Sequence, residues 1–159
     1  MGAVGVRSHV VVTPSRNEAN FLPDLADSIV NQSLPPSRWV VVDHNSSDET
    51  RKILSEYQLK YDWISVVTVS DDSKRKRGSQ IAKLFNLGIS SSDERWSFCS
   101  KIDADMILPP TYFADILSKF DGNNQLGIAS GTCYVIYHNK KKIEQVSRDH
   151  TRGGLKTYR

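Results

Sequence analysis

Apolar residues along this chain come in short blocks separated by polar turns. His9-Val-Val-Val-Thr13 and Trp39-Val-Val-Val-Asp43 are β-branched runs without in–out alternation, the pattern of strands buried on both faces. Between them Leu22, Leu25, Ala26 and Ile29 recur at helical spacing until Leu34-Pro-Pro36 stops the helix. Ser46 with Glu49 has the spacing of a capping box and predicts a helix through about Tyr57. Trp63 to Val69 reads as a third strand, and Ile81, Leu84 and Phe85 mark a third helix ending near Gly88. Trp96 to Ile102 is a fourth strand. Phe113, Ile116, Leu117 and Phe120 give a fourth helix, which Asp121-Gly-Asn-Asn124 terminates. Gly127 to Tyr137 predicts a longer strand, with Lys142 to Val146 as its partner across a His138-Asn-Lys turn.

Successive strand–helix–strand units imply an α/β fold: an open, mostly parallel, Rossmann-like sheet with helices on both faces and an antiparallel hairpin near the C-terminus. In such sheets ligands bind outside the carboxyl ends of the strands. The polar residues at those ends are Thr13 to Glu18, Asp43 to Asp48, Ser70 to Gly78 and Asp103 to Asp105. All four stretches carry carboxylates, hydroxyls or arginines. One crevice could gather them.

Composition narrows the class without choosing a function. A chain of 159 residues is about one domain, read here as a single α/β unit over 1–159. The net charge of +3 is too mild to call for nucleic acid. Cys99 and Cys133 sit in apolar stretches without paired spacing, as reduced core residues of a cytoplasmic protein do. No apolar run approaches the roughly 20 residues of a membrane span, and the N-terminus lacks a signal-peptide core.

The densest chemistry lies in Lys101-Ile-Asp-Ala-Asp-Met-Ile-Leu-Pro109. If the strand continues through it, Asp103 and Asp105 share a face while Ala104 turns away. Two such carboxylates suit a hard divalent cation that takes phosphate oxygens as its other ligands. Two solvated turn acids is the plainer alternative. Lys74-Arg-Lys-Arg77 reads either as a solvated loop or as an anion-binding patch. His138-Asn-Lys-Lys-Lys142 reads as a charged hairpin tip. His44 is a turn residue or a nucleobase contact.

Taken in order, these segments resemble the nucleotide-sugar-binding part of family-2-type glycosyltransferases with the GT-A fold. The resemblance rests on Val12-Thr-Pro-Ser-Arg-Asn-Glu18, on Val42-Asp-His-Asn-Ser-Ser-Asp-Glu-Thr50, on Arg77-Gly78 with Phe85-Asn-Leu-Gly-Ile89, on the DxD motif Asp103-Ala-Asp105, and on Arg152-Gly-Gly154 with Lys156 and Tyr158. It implies a metal-dependent, inverting transfer of a sugar from a nucleoside diphosphate sugar to an acceptor hydroxyl that stays unidentified, a glycan or a lipid-linked molecule being candidates. Thr13, Pro14, Glu18, Asp43, Arg77 and Asp103 would bind the donor. Asp103 and Asp105 would hold Mn²⁺ or Mg²⁺. Asp48 and Thr50 serve their helix and stay outside the binding set.

The family's acceptor-activating base and the helices that complete its acceptor site lie beyond the stretch resembling Arg152 to Tyr158. Neither Glu144 nor Asp149 sits in a recognisable base motif. The expectation is therefore a donor-binding portion, with catalytic residues unassigned and a cytoplasmic location, a peripheral position at the membrane being the alternative. The alternative is a nucleotide-sugar-binding module that does not turn over alone.

Overall fold

A computed structural model describes residues 8–70, 79–93, 95–137, 140–144 and 151–159. The β-branched and apolar runs form the strands β1 (His9–Ser15), β2 (Arg38–His44), β3 (Ile64–Val69) and β4 (Phe98–Ile102), all largely buried except β3, which is mostly half-buried. They alternate with the helices α1 (Leu22–Val30), α2 (Thr50–Lys60), α3 (Ser79–Ser90) and α4 (Tyr112–Gly122). Strands β5 (Ile128–Ala129), β6 (Tyr134–Tyr137), β7 (Lys140–Ile143) and β8 (Leu155–Tyr158) follow. Six strands make one sheet in the order β3-β2-β1-β4-β8-β5, and β6 pairs with β7 apart from it. The pairs β1–β2, β2–β3 and β1–β4 are parallel; β4–β8 and β8–β5 are antiparallel.

Strand pleating divides the core in two. Val11, Trp39 and Val41 face Leu22, Leu25 and Ile29 of α1, Leu54 of α2 and Phe113 and Phe120 of α4. Val10, Val12, Val40 and Val42 face Leu84, Phe85 and Ile89 of α3. Helices thus cover both faces, as the uninterrupted valine runs imply. Helix α3 approaches the sheet closely at Gly88, where a Cβ would lie 2.4 Å from Val12 Cγ1 and 3.0 Å from Val42 Cγ2.

Three sequence expectations need correction. The capping box does not form, because Ser46 Oγ accepts the backbone N–H of Asn17 at 2.9 Å while Asp48 Oδ1 accepts that of Thr50 at 3.0 Å. Helix α2 therefore begins at Thr50. The single strand anticipated over 127–137 is two, since β5 pairs with β8 and β6 with β7. Between them Gly131 passes Tyr112 so closely that a Cβ would sit 2.8 Å from its ring. The partner of β6 is Lys140–Ile143 instead of 142–146, and its turn residues 138–139 lie outside the described part. Strand β8 was not anticipated; four residues without a β-branched run are a weak signal.

A buried polar chain ties β8 in. His9 Nε2 lies 2.8 Å from Ser100 Oγ, which lies 2.7 Å from Thr157 Oγ1, spanning β1, β4 and β8. Among the described residues the other ring nitrogen, His9 Nδ1, has no hydrogen-bond partner. Burial lowers the His9 pKa from 6.5 to about 4.

Two predictions arise here. Gly88→Ala should lower stability by about 1–3 kcal/mol, seen as a fall in the denaturant midpoint; an unchanged midpoint would refute the tight α3–sheet contact. The native state also resists protonation of His9 between pH 6.5 and about 4, while the unfolded chain binds that proton. Stability is therefore fully present above pH 6.5 and is lost as pH falls through this window, by roughly 3 kcal/mol. His9→Gln should flatten the slope in denaturation curves recorded from pH 7 to 4.

Candidate functional site

Parallel pairing sets the carboxyl ends of β1, β2 and β4 side by side. Ser15 stands opposite Asp43, and Val12 opposite Lys101. The chain beyond these ends encloses a cleft of about 120 Å³. Its wall takes Pro14, Ser15, Arg16 and Glu18 from the β1 end, His44 from β2, and Gln80, Ile81 and Leu84 from α3. Asp103, Ala104 and Asp105 close it from the β4 end. Pro14, Glu18, Asp103 and Asp105 thus meet, as their sequence positions anticipate.

Other site candidates stand elsewhere. Thr13 is fully buried, and its hydroxyl accepts the Trp39 indole N–H at 3.0 Å. Its side chain serves the sheet core and is not part of the cleft wall. Asp43 is also fully buried; Arg51 Nε donates to its Oδ2 at 2.7 Å and the Ser46 backbone N–H to its Oδ1 at 3.3 Å. Both carboxylate oxygens are thus engaged by the turn and by α2, and Asp43 does not line the cleft. Arg77, Asp149 and the Lys74 to Arg77 run fall outside the described residues. Glu144 is engaged by Arg152 in an ion pair.

The second-strand signature has a structural job. Asn17, with φ of 56°, and Asn45, with φ of 52°, turn the two loops back on themselves; asparagine tolerates this left-handed backbone better than most residues. Asn17 then bridges the loops, its N–H to Ser46 Oγ and its Oδ1 accepting Ser47 N–H at 2.8 Å. Glu18 N–H donates to Thr50 Oγ1 at 2.9 Å, and Ala19 N–H to Asp48 Oδ2 at 3.1 Å. Desolvation works to raise the Asp48 pKa, but hydrogen bonds from Thr50 and Ala19 hold it below the usual value. Ser46, Asp48 and Thr50 thereby hold the Glu18 loop in place.

His44 is the cleft residue whose contribution the sequence left most open. It is buried, with Arg16 Nη1 at 3.4 Å from Nδ1 and Gln80 Nε2 at 3.3 Å from Nε2. Arginine can only donate, so Nδ1 is the accepting nitrogen towards Arg16, while the side-chain amide of Gln80 meets the ring at Nε2. Arg16 and Gln80 were not singled out from sequence. Their one available signal was position: Arg16 lies in the first polar strand-end loop, and Gln80 just after the third.

The acidic turn differs from its strand reading. Strand β4 ends at Ile102, so 103–105 form a turn and pleating no longer decides their directions. Ala104 is buried, Asp103 half-exposed and Asp105 exposed, and both acids reach the cleft. Two neighbours hold Asp103: Lys101 Nζ donates to Oδ1, and the Asp103 N–H donates to Gly154 O at 2.9 Å. Downstream, Gln32 clamps the following segment, donating to Pro109 O at 2.7 Å and accepting Phe113 N–H at 3.1 Å.

A mostly parallel sheet with helices on both faces, carrying an acidic turn and the polar ends of β1 and β2 at one edge, defines a GT-A-like fold. Residues 10–159 match the model of Glycosyl transferase family 2, and the chain belongs to that family. It is 31% identical over 90 residues to a putative teichuronic acid biosynthesis glycosyltransferase, TuaG, of Bacillus subtilis (strain 168), covering 54% of this chain and 36% of that one. The chain spans about a third of the length of the curated relatives it matches. The mannosyltransferase PcManGT from Pyrobaculum calidifontis, solved with GDP-Man and Mn²⁺, superposes with a TM-score of 0.70 at 18% identity, over 97% of this chain and 45% of that one. S. aureus TarS 1-349 in complex with UDP-GlcNAc gives 0.60 at 21% identity, over 74% and 32%. At these identities the structures establish the fold. No helix among the described residues is long and apolar enough to cross a membrane.

One prediction concerns the Asp43–Arg51 pair. Arg51→Met would leave a fully buried carboxylate with a single weak partner. Arg51 is itself half-exposed, so water offsets part of the loss. A cost of about 1–3 kcal/mol is expected, with Asp43→Asn in the same chain restoring much of it in denaturant melts. If Arg51→Met alone costs nothing, the pair has no structural weight.

Proposed function

We propose that this chain binds a nucleoside diphosphate sugar and serves glycosyl transfer from it to an acceptor hydroxyl. The observation that carries this reading is the meeting of Pro14, Glu18, Asp103 and Asp105 on one cleft at the carboxyl edge of the sheet. Membership of Glycosyl transferase family 2 supports the reaction class. The donor complexes of PcManGT and TarS support a nucleotide sugar as ligand.

The acidic turn fits a hard divalent cation. Magnesium and manganese take one or two protein carboxylates and fill their remaining positions with phosphate oxygens and water. Asp105 is exposed on the cleft wall and Asp103 partly so, whereas the described residues hold no cluster of three or more His, Cys, Asp or Glu that would form a closed cage. Asp105 would hold the cation, with Asp103 beside it. The cation's contribution is Lewis-acid stabilisation of charge growing on the departing diphosphate.

The chain's own groups do the positioning. Glu18, fixed by Thr50, and His44, held by Arg16, line the wall facing the acidic turn. Ile81 and Leu84 supply its apolar part and reduce water access. Thr13 and Asp43 then act from behind the wall: Thr13 anchors Trp39, and Asp43 holds the turn that presents His44. An inverting course, Arg77 as a donor contact, and an acceptor base outside these residues complete the proposal.

Calorimetry with UDP, GDP and dTDP, each with Mn²⁺ and then with EDTA, tests it. One of the three should bind in the presence of metal. Chelation and Asp105→Ala should each weaken that nucleotide at least about tenfold, near 1.4 kcal/mol. Failure of all three to bind removes the donor reading; binding indifferent to both EDTA and Asp105→Ala removes the metal. Release of UDP or GDP from the matching sugar donor then separates a transferase from a binding module.

A further inference from the structure

Lys101 stands where a valine would suit the strand. It lies in β4 opposite Val12, on the sheet face covered by α3, and only 9% of it is exposed. A buried ammonium is costly unless it is paired and hydrogen-bonded. This one donates to Asp103 Oδ1 and, at 2.9 Å, to the carbonyl of Gly153. The same turn holds Asp103 from its other side. Gly154 O accepts the Asp103 N–H, and a Cβ on Gly154 would sit 2.7 Å from Oδ2. The carboxylate therefore lies between the Lys101 ammonium and the closely packed backbone of Gly154.

This arrangement changes the charge the cleft offers. Asp103 and Asp105 bring two negative charges, of which Lys101 offsets one; Glu18 and Arg16 on the same wall add one of each sign. Counting the described residues alone, a free divalent cation would meet one net negative charge and a carboxylate already engaged. A diphosphate brings the missing negative charge with it.

We propose that Lys101 is the resident counter-charge of the acidic turn and makes divalent-cation capture there dependent on a nucleoside diphosphate. The proposal rests on the donor-binding reading and adds to it a rule of order: the cation is held well only together with the nucleotide. By linkage, each then raises the affinity of the other by the same factor. Removing one unit charge beside a divalent cation is worth about tenfold or more in affinity, even at a protein-like effective dielectric of about 20.

The test measures Mn²⁺ binding directly, by the loss of the free-ion electron paramagnetic resonance signal, with and without UDP or GDP. Mn²⁺ held by the nucleotide in solution is subtracted. Wild-type chain should bind Mn²⁺ at least about tenfold more tightly with the matching nucleotide than without it. Lys101→Gln keeps an N–H donor for Asp103 and Gly153 but removes the charge. It should bind free Mn²⁺ about tenfold more tightly than wild type, with the nucleotide effect reduced. Lys101→Arg keeps the charge and should retain wild-type coupling.

Free Mn²⁺ binding by Lys101→Gln no tighter than wild type overturns the proposal. Should that variant not fold, equal wild-type affinity with and without bound nucleotide overturns it as well. If wild type binds neither nucleotide, the donor reading falls separately, while the free-Mn²⁺ comparison of wild type with Lys101→Gln still decides the role of the lysine.

Discussion

The register of β1 against its two parallel neighbours is the constraint on which the site depends. Parallel strands buried on both faces cannot slip by one residue without driving a whole valine set to the wrong side. Val10 and Val12 pack with α3, whereas Val11 packs with α1 and α4. That division locks Ser15 beside Asp43 and Val12 beside Lys101. The polar ends of three strands then emerge at one edge. The cleft follows from core packing before any residue in it makes a contact.

Most of the motif residues stabilise that edge, and only some face the cleft. Ser46, Asp48 and Thr50 accept the backbone N–H groups of Asn17, Ala19 and Glu18, so two loops that share no sheet hydrogen bonds are fastened together. Asp43 and Arg51 tie the same loop to α2. Each buried backbone donor has to find an acceptor, and short polar side chains in a tight loop are the economical source. Glu18 and His44 are left to face the cleft.

The C-terminal strand matters beyond its length. Strand β8 joins β4 through the buried His9–Ser100–Thr157 chain, and the turn before it lays Gly154 against Asp103 and gives the Gly153 carbonyl to Lys101. Lys101 donates to both sides of that junction. Asp103 is therefore fixed by residues about 50 positions away in sequence, and its charge is balanced by a lysine only two positions before it. Electrostatics and packing act there on the same carboxylate.

Much was already determined by the sequence. The first four strands and the four helices were readable because β-branched runs and helical apolar spacing are local patterns. The placing of polar strand ends, with Pro14, Glu18, Asp103 and Asp105 at the cleft, followed from the rule for parallel sheets. What a side chain does once there depends on partners distant in sequence. Only the tertiary structure turned Thr13 toward Trp39 and Asp43 toward Arg51. It also spent Ser46 on Asn17 instead of a helix cap, inserted β8 beside β4, and placed Lys101 against Asp103. Periodicity records which face is buried. It carries no information about which donor a buried oxygen will meet, because that is settled by hydrogen-bond satisfaction across the packed sheet.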